Sequence, residues 1–423
     1  MSSPHATQPS SHNAPSSPRP TPEPSGPRII AVPDSFKGSV SAAEAAAALA
    51  RGARAVFGAG ARIRELPFAD GGEGTLDALL AAWGTPALTV AASDALGRPR
   101  EARYGISSDG RTGLIEAAEG NGLPHVADVP LQPLRADSHG VGLIARRLLD
   151  DGVGEVLLCI GGSASTDGGT GLLRALGARF TDDAGAEVPP GGAGLARIAA
   201  VDLEGLHPRA RGVRWRIAVD VENPLCGERG AAAVFGPQKG AGPGEVEALD
   251  AGLARFARVL ARHGGHDGHA GDAEVEASGF LEAPGFGAAG GLPLALVALL
   301  GAETVPGAEL VGDAVGLRGA LATADIVLTG EGSFDEQSLG GKVVDAVRRH
   351  APEAASVVVI AGTVRLSAAA CRRAGITAAL SIARGPAELA ALQADAAELI
   401  EDAAAQACAL LAPARTGAPG YFR

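Results

Sequence analysis

The strongest constraint on the fold of this chain is a repeated three-part unit. An apolar run of strand length ends in a loop of glycines and acidic residues, and an alanine- and leucine-rich helical stretch follows. "RIIAVP" runs into "DSFKGS" and a helix from about Ser41, where Ser41-x-x-Glu44 forms a capping box. "RIREL" leads to "ADGGEGT" and a helix through Ala82, and "EVLLCI" leads to "GGSASTDGGTG" and the helix "GLLRALGARF". "ADIVLTG" leads to "EGSFDEQSLGGK" and the helix "VVDAVRRHA". "SVVVIAG" and "TAALSIA" add two more strands, the last followed by a long helix over residues 386–411. Alternating strand and helix predicts a parallel α/β sheet. Ligands of such sheets bind beyond the carboxyl ends of the strands, so these loops should face one site or a cleft between two domains.

Residues 87–118 break the pattern. They alternate as antiparallel strands do, with turns at "DALGRP" and "SDGR". A second α/β domain with a mixed sheet is therefore expected at 84–293, inserted into a parallel-sheet domain made from 28–83 and 294–414. "LPLALVALLGA" is too short for a membrane span, which needs about 20 apolar residues, and reads as core. The Gly-rich stretch 263–286 reads as an irregular surface loop. Residues 1–27, nearly all Pro, Ser and small polar residues, read as a disordered tail without the apolar stretch of a signal peptide. Four widely spaced cysteines (Cys159, Cys226, Cys371, Cys408) read as reduced thiols of a cytoplasmic protein. A net charge of −12 argues against nucleic acid or an anionic membrane as partner. Self-association into a homo-oligomer is left open.

The loops carry the candidate chemistry. Asp34, Ser35 and Lys37 follow the first strand, and Lys37 precedes a helix start, where free N–H groups attract anions; it holds a carboxylate or phosphate, or is a solvated turn lysine. Asp70 and Glu73 flank Gly71 and Gly72. Two carboxylates in so tight a turn suit Mg²⁺ or a hydroxyl proton, or cap the next helix. Ser163, Ser165 and Thr166 offer hydroxyls, Gly168 and Gly169 offer bare N–H groups, and Asp167 suits a metal, a substrate hydroxyl or an N-cap. Asp220 and Asn223 end another apolar run, and Asn223-Pro224 equally favours a plain turn. Glu331, Asp335, Gln337 and Lys342 lie on the last loop. Lys342 is no Walker lysine, since Val343 follows it and Glu336 stands where that pattern needs its first glycine. His263, His266 and His269 are spaced by three, but the glycines between them argue against a metal-binding helix face.

Together "VPDSFKGSVSA", "PFADGGEGT", "IEAAEGNGLP", "SHGVG", "IGGSASTDGGTG", "DVENPLCG", "GAAGGLP" and "TGEGSFDEQSLGGK" resemble the type I glycerate kinase family, in family order across residues 28–411. Two departures stand out: Thr166 replaces the usual Asn before Asp167, and Ser333 replaces an arginine. The resemblance implies a flavodoxin-like domain formed by both chain ends and carrying an inserted α/β domain. It also implies transfer of phosphate from ATP, with Mg²⁺, to D-glycerate, 2-phosphoglycerate being the favoured product. In that reading Lys37 holds an anionic group, and Asp70 and Asp167 bind Mg²⁺ or take the hydroxyl proton. Glu331, Asp335 and Lys342 line the same cleft, and phosphate approaches the backbone at Gly168 and Gly169. The alternatives are a kinase of another small hydroxy acid and a non-catalytic ligand-binding homologue.

Overall fold

Runs of valine, isoleucine and leucine become strands shielded from water on both faces in the computed structural model of the chain, which describes residues 26–264 and 270–412. The strands among the described residues are β1 (Arg28–Pro33), β2 (Arg62–Glu65), β3 (Leu88–Ser93), β4 (Pro99–Ile106), β5 (Thr112–Glu116), β6 (Glu155–Cys159) and β7 (Arg179–Thr181). They continue with β8 (Ala200–Asp202), β9 (Arg214–Ala218), β10 (Glu303–Val305), β11 (Ile326–Phe334), β12 (Ser356–Val364) and β13 (Ala378–Ser381).

One sheet is wholly parallel, in the order β13-β12-β11-β1-β2. Numbered along its own strands, that is the 2-1-3-4-5 order of flavodoxin-like sheets. The second sheet runs β10-β9-β6-β5-β4-β3, parallel as far as β5 and antiparallel beyond it. The expected mixed α/β architecture, with one parallel and one mixed sheet, is present. β7 and β8 form a separate two-stranded ribbon.

Alanine-faced helices lie close on the first sheet. Helices Ala42–Phe57 and Ala396–Leu411 pack side by side over Ile29, Leu328 and Ile360. A Cβ built on Gly52 would sit 2.7 Å from the Ala404 Cβ, so the helices approach more closely there than any side chain permits. The scarcity of aromatics fits this style of packing. Leu292–Leu300 is the expected core helix, buried with the second sheet. Among the described residues no helix is long and apolar enough to cross a membrane. All four cysteines are free.

Several expected elements differ. β11 runs on through "EGSF" because its ladder with β12 continues to Phe334↔Val364, and buried Phe334 anchors that end. The helix after Asp167 is only Thr170–Ala175; Gly177, at φ 104°, turns the chain, and Arg179 starts β7. The helix expected over 386–411 is interrupted at Asp395, giving Leu389–Ala394 and Ala396–Leu411. Much of the described part of 263–286 is helical: Pro243–Gly264 ends in it and Ala270–Glu282 lies within it, because Ala, Glu and Leu outweigh the glycines. His263 lies in the last turn of the first of these; His266 and His269 lie outside the described residues, as does nearly all of the 1–27 tail. β10 pairs with β9, so the second sheet reaches Val305, past the expected limit at 293.

The capping box reads as expected. Ser41 Oγ accepts the Glu44 N–H at 3.3 Å and the Glu44 carboxylate accepts the Ser41 N–H at 3.0 Å. Ser41→Ala should lower the unfolding free energy by about 0.5–2 kcal/mol, measured by urea titration.

Candidate active site

Loops from both sheets enclose a cleft of about 540 Å³. Lys37 reaches it from the turn after β1, and Asp70, Gly71 and Gly72 from the loop after β2. The second sheet contributes Ile160 to Ser163 after β6 and Ala218 to Val221 after β9, and Phe235, Gln238 and Lys239 close another side. In a 2-1-3-4-5 sheet the strand order reverses between its first and third strands, here β1 and β11, and a crevice opens at that point. Asp34 follows β1 and Glu331 lies on β11; the Asp34 N–H donates to the Gly330 carbonyl at 2.8 Å, fixing the two strand ends together.

Three carboxylates gather around Asp70 there: Asp34 and Glu331 at the crevice, and Asp220 after β9 of the second sheet. Burial, and then the nearby Asp70 carboxylate, push the Asp34 carboxyl up to about 7, although Ser35 N–H donates to it at 2.6 Å. Burial likewise raises Asp220 to about 6, with Asp70 adding to the rise and a hydrogen bond from the Gly307 N–H at 2.7 Å opposing it. Glu331 is raised chiefly by burial, and one of its oxygens is buried without a partner. Asp70 is the common neighbour, since its charge acts on the other three. Lys37 opposes the cluster at Asp34, and Lys342 opposes it at Asp220 and Glu331.

The Asp70 loop is positioned by contacts that only glycine permits. Gly71 has φ 89°, and a Cβ there would lie 2.8 Å from both the Ala218 Cβ and the Gly307 Cα. Asp70 accepts the Gly72 N–H at 3.1 Å. Glu116, at the end of β5, accepts the N–H groups of Gly74 at 3.3 Å and Leu76 at 3.1 Å. A carboxylate of the second sheet therefore caps the helix that follows the loop of the first.

Of the three readings of Asp167, the structure carries the capping one. It is fully buried, and its oxygens accept five donors: Ser138 N–H and Oγ, Gly171 N–H, Ser165 Oγ and, at 3.4 Å, Gly169 N–H. With both oxygens so engaged, Asp167 is neither an open metal ligand nor a proton acceptor for substrate; it is an internal cap joining two helix starts. Gly168 and Gly169 are also structural, because Cβ atoms there would meet Phe256 at 3.0 Å and the Leu292 carbonyl at 2.8 Å. Ser165 and Thr166 are buried behind the cleft, and the Thr166 hydroxyl has no partner. Of this loop's predicted residues only Ser163 lines the cleft.

The remaining predicted residues are spread around it. Glu73 is exposed on a shallower cavity of about 270 Å³ that it shares with Ser35 and Lys37. Asn223 holds a turn through the Arg229 carbonyl at 2.8 Å and does not line the cleft. Asp335 caps the short turn Glu336–Leu339 by accepting the Gln337 N–H at 3.0 Å, and the Gln337 side chain is exposed.

Sequence reasoning missed Lys239. It sits at the end of the 3₁₀ turn Pro237–Lys239, is 3% exposed, and donates to Ser163 Oγ at 3.1 Å and to the Ser165 carbonyl at 2.5 Å. The available signal was a lone lysine in "GPQKGAG", a turn of small residues that would not ordinarily bury a charge.

Fold and cleft together define an α/β protein whose two sheets present strand-end loops to one cleft. Residues 29–412 match the glycerate kinase family, and the chain belongs to that family. The glycerate kinase of Bacillus subtilis (strain 168) is 39% identical over 390 residues, covering 92% of this chain and 99% of that one. The glycerate 2-kinase of Escherichia coli (strain K12) is 38% identical over 355 residues, 84% of this chain and 90% of that one. A crystal structure described as glycerate kinase 2 from Salmonella typhimurium LT2 superposes with a TM-score of 0.80 at 39% identity, covering 91% of this chain and 98% of that chain.

Two outcomes follow for stability. Asp167→Ala strands five buried donors, and the unfolding free energy measured in urea should fall by about 3–5 kcal/mol. Asp34 titrates near 3.8 when exposed and near 7 in the fold, so between those values the folded chain binds more protons than the unfolded one. Its contribution therefore makes the ligand-free protein less stable as pH rises through that window. Asp34→Asn should flatten the slope and raise the melting temperature at neutral pH, read by scanning calorimetry.

Proposed function

We propose that this protein transfers the γ-phosphoryl group of ATP to a hydroxyl of D-glycerate, with 2-phosphoglycerate as product. The observation that carries this reading is the four-carboxylate cluster, bordered by two lysines, near the switch point of a flavodoxin-order sheet in a glycerate kinase chain. Phosphoryl transfer needs positioning and charge neutralisation rather than covalent help from the protein. The preference for the 2-hydroxyl is supported by the relative named glycerate 2-kinase.

The residues fit Mg²⁺. The donors are all carboxylate oxygens, and this ion takes one or two of them beside substrate phosphates. Among the described residues no cluster of three or more His, Cys, Asp or Glu would hold a metal alone, and phosphate oxygens would supply the other ligands. Asp70, with Asp34 or Asp220, would hold the ion, which neutralises phosphate charge. Lys37 and Lys342, whose charges act on the carboxylate cluster, would steady the phosphates. As the acceptor O–P bond forms and the bond from the γ-phosphorus to its bridging oxygen breaks, ADP leaves with the electron pair. A carboxylate of the cluster left uncoordinated takes the acceptor's proton.

We also propose two domains, one built on each sheet, closing on the cleft to exclude water from the γ-phosphate. Their second boundary falls after β10 rather than at 293, because β10 and helix Leu292–Leu300 pack with the second sheet. Free cysteines support a cytoplasmic location.

A coupled assay of ADP release, run with D-glycerate and a panel of other short hydroxy acids, tests the reading. D-Glycerate should be the best acceptor, and Asp70→Asn should lower kcat by about 100-fold or more. A folded Asp70→Asn variant with near wild-type turnover would remove Asp70 from the mechanism. A different preferred acid would favour a kinase of that acid.

A further inference from the structure

The cleft is polarised. Asp70 and Asp220 line it, with Asp34 and Glu331 close to Asp70, while Lys239 and Ser163 line a part of it where none of these four carboxylates bears on the lysine. An ammonium group has three N–H donors. Two of those of Lys239 are engaged, by Ser163 Oγ and the Ser165 carbonyl, so one is left for a ligand in the cleft it lines. A phosphate chain can approach the acidic side because a divalent cation goes with it. The carboxylate of a small acid brings no such cation, and the four carboxylates repel it. Its favourable orientation is away from them, towards the buried lysine.

We infer that Lys239, with Ser163 beside it, receives the carboxylate of the acceptor substrate, and so selects short 2-hydroxy acids over neutral polyols and amides. The assignment rests on reading the chain as a glycerate kinase, and it leaves Lys37 and Lys342 to the phosphates. A charge-assisted hydrogen bond to an ammonium that is itself buried gives the discrimination, because a neutral ligand leaves that charge without a counter-charge. Burial pulls Lys239 down to about 8, and Asp167, the one carboxylate whose field reaches it, acts against that fall. Of the groups facing the cleft or the Asp167 network, Asp34, Asp137 and Asp220 titrate near 6 to 7, below the window in which Lys239 loses its proton.

Binding of D-glycerate and of D-glyceramide, the neutral amide of the same shape, is to be measured by calorimetry on wild type, Lys239→Met and Lys239→Arg. Initial-rate kinetics are collected in parallel. Lys239→Met should weaken D-glycerate about 100-fold, leave the KM for ATP within about twofold, and abolish the preference for acid over amide. Lys239→Arg should recover part of that preference. In the wild type, affinity for D-glycerate should fall about tenfold per pH unit above about 8, and affinity for the amide should not. This arm needs no variant, so it decides the matter even if Lys239→Met fails to fold. Equal wild-type affinity for acid and amide would overturn the inference. So would a Lys239→Met protein that loses kcat but keeps its KM for D-glycerate, because Lys239 would then touch the phosphoryl group. If wild type transfers no phosphate to D-glycerate, the proposed function fails. Calorimetry with other short 2-hydroxy acids and their amides then still judges Lys239.

Discussion

The structure around the cleft depends on one buried carboxylate. Asp167 collects donors from its own loop and from the start of helix His139–Asp151, and it holds Ser165 Oγ at 3.0 Å while the Ser165 carbonyl accepts from Lys239. Asn121 Nδ2 donates to the same Ser165 hydroxyl at 3.1 Å. A charge so deep in the protein persists only when its hydrogen-bonding capacity is filled. The glycines that follow Asp167 serve the same end, admitting Phe256 and the Leu292 carbonyl where a side chain would collide. This support sets Ser163 and Lys239 at the cleft and leaves Asp167 itself buried behind it.

The acidic side of the cleft works in the opposite way. Asp34, Asp220 and Glu331 are desolvated and each repelled by Asp70, and their raised affinity for protons records the cost of burying them together. Such strain is characteristic of a site built for a charged partner. Polarity across the cleft thus follows from topology. The flavodoxin-order sheet supplies Asp34, Asp70 and Glu331 near its switch point, and the second-sheet side supplies Asp220, Lys239 and backbone donors.

The fold was largely legible because it rests on local periodicity: buried β-branched runs, helix caps and antiparallel alternation over 87–118 are all written in neighbouring residues. One error came where distant pairing overrode a local signal, in β11, which its ladder to β12 carries through an apparent loop, and another where scattered glycines masked the helix Ala270–Glu282. The site was legible only in part. Asp34, Lys37, Asp70, Ser163 and Asp220 stand where strand-end loops were expected to bring them. The role of Asp167 was misjudged because a capping aspartate and a metal-binding one share the same sequence signature, and only its five donors and complete burial separate them. Lys239 escaped notice because its partners lie about 75 residues away in sequence, and a lone lysine in a small-residue turn usually faces water.

The central claim is phosphoryl transfer to the acceptor's 2-hydroxyl, and proton-coupled phosphorus NMR of a reaction containing the protein, ATP, Mg²⁺ and D-glycerate tests it most directly. The account predicts a new phosphomonoester resonance split into a doublet by the single hydrogen on C2, growing as ADP forms. A triplet would mean that the phosphate sits on the CH₂ oxygen, contradicting the choice of hydroxyl. A spectrum in which no new phosphomonoester resonance develops would contradict the transfer itself.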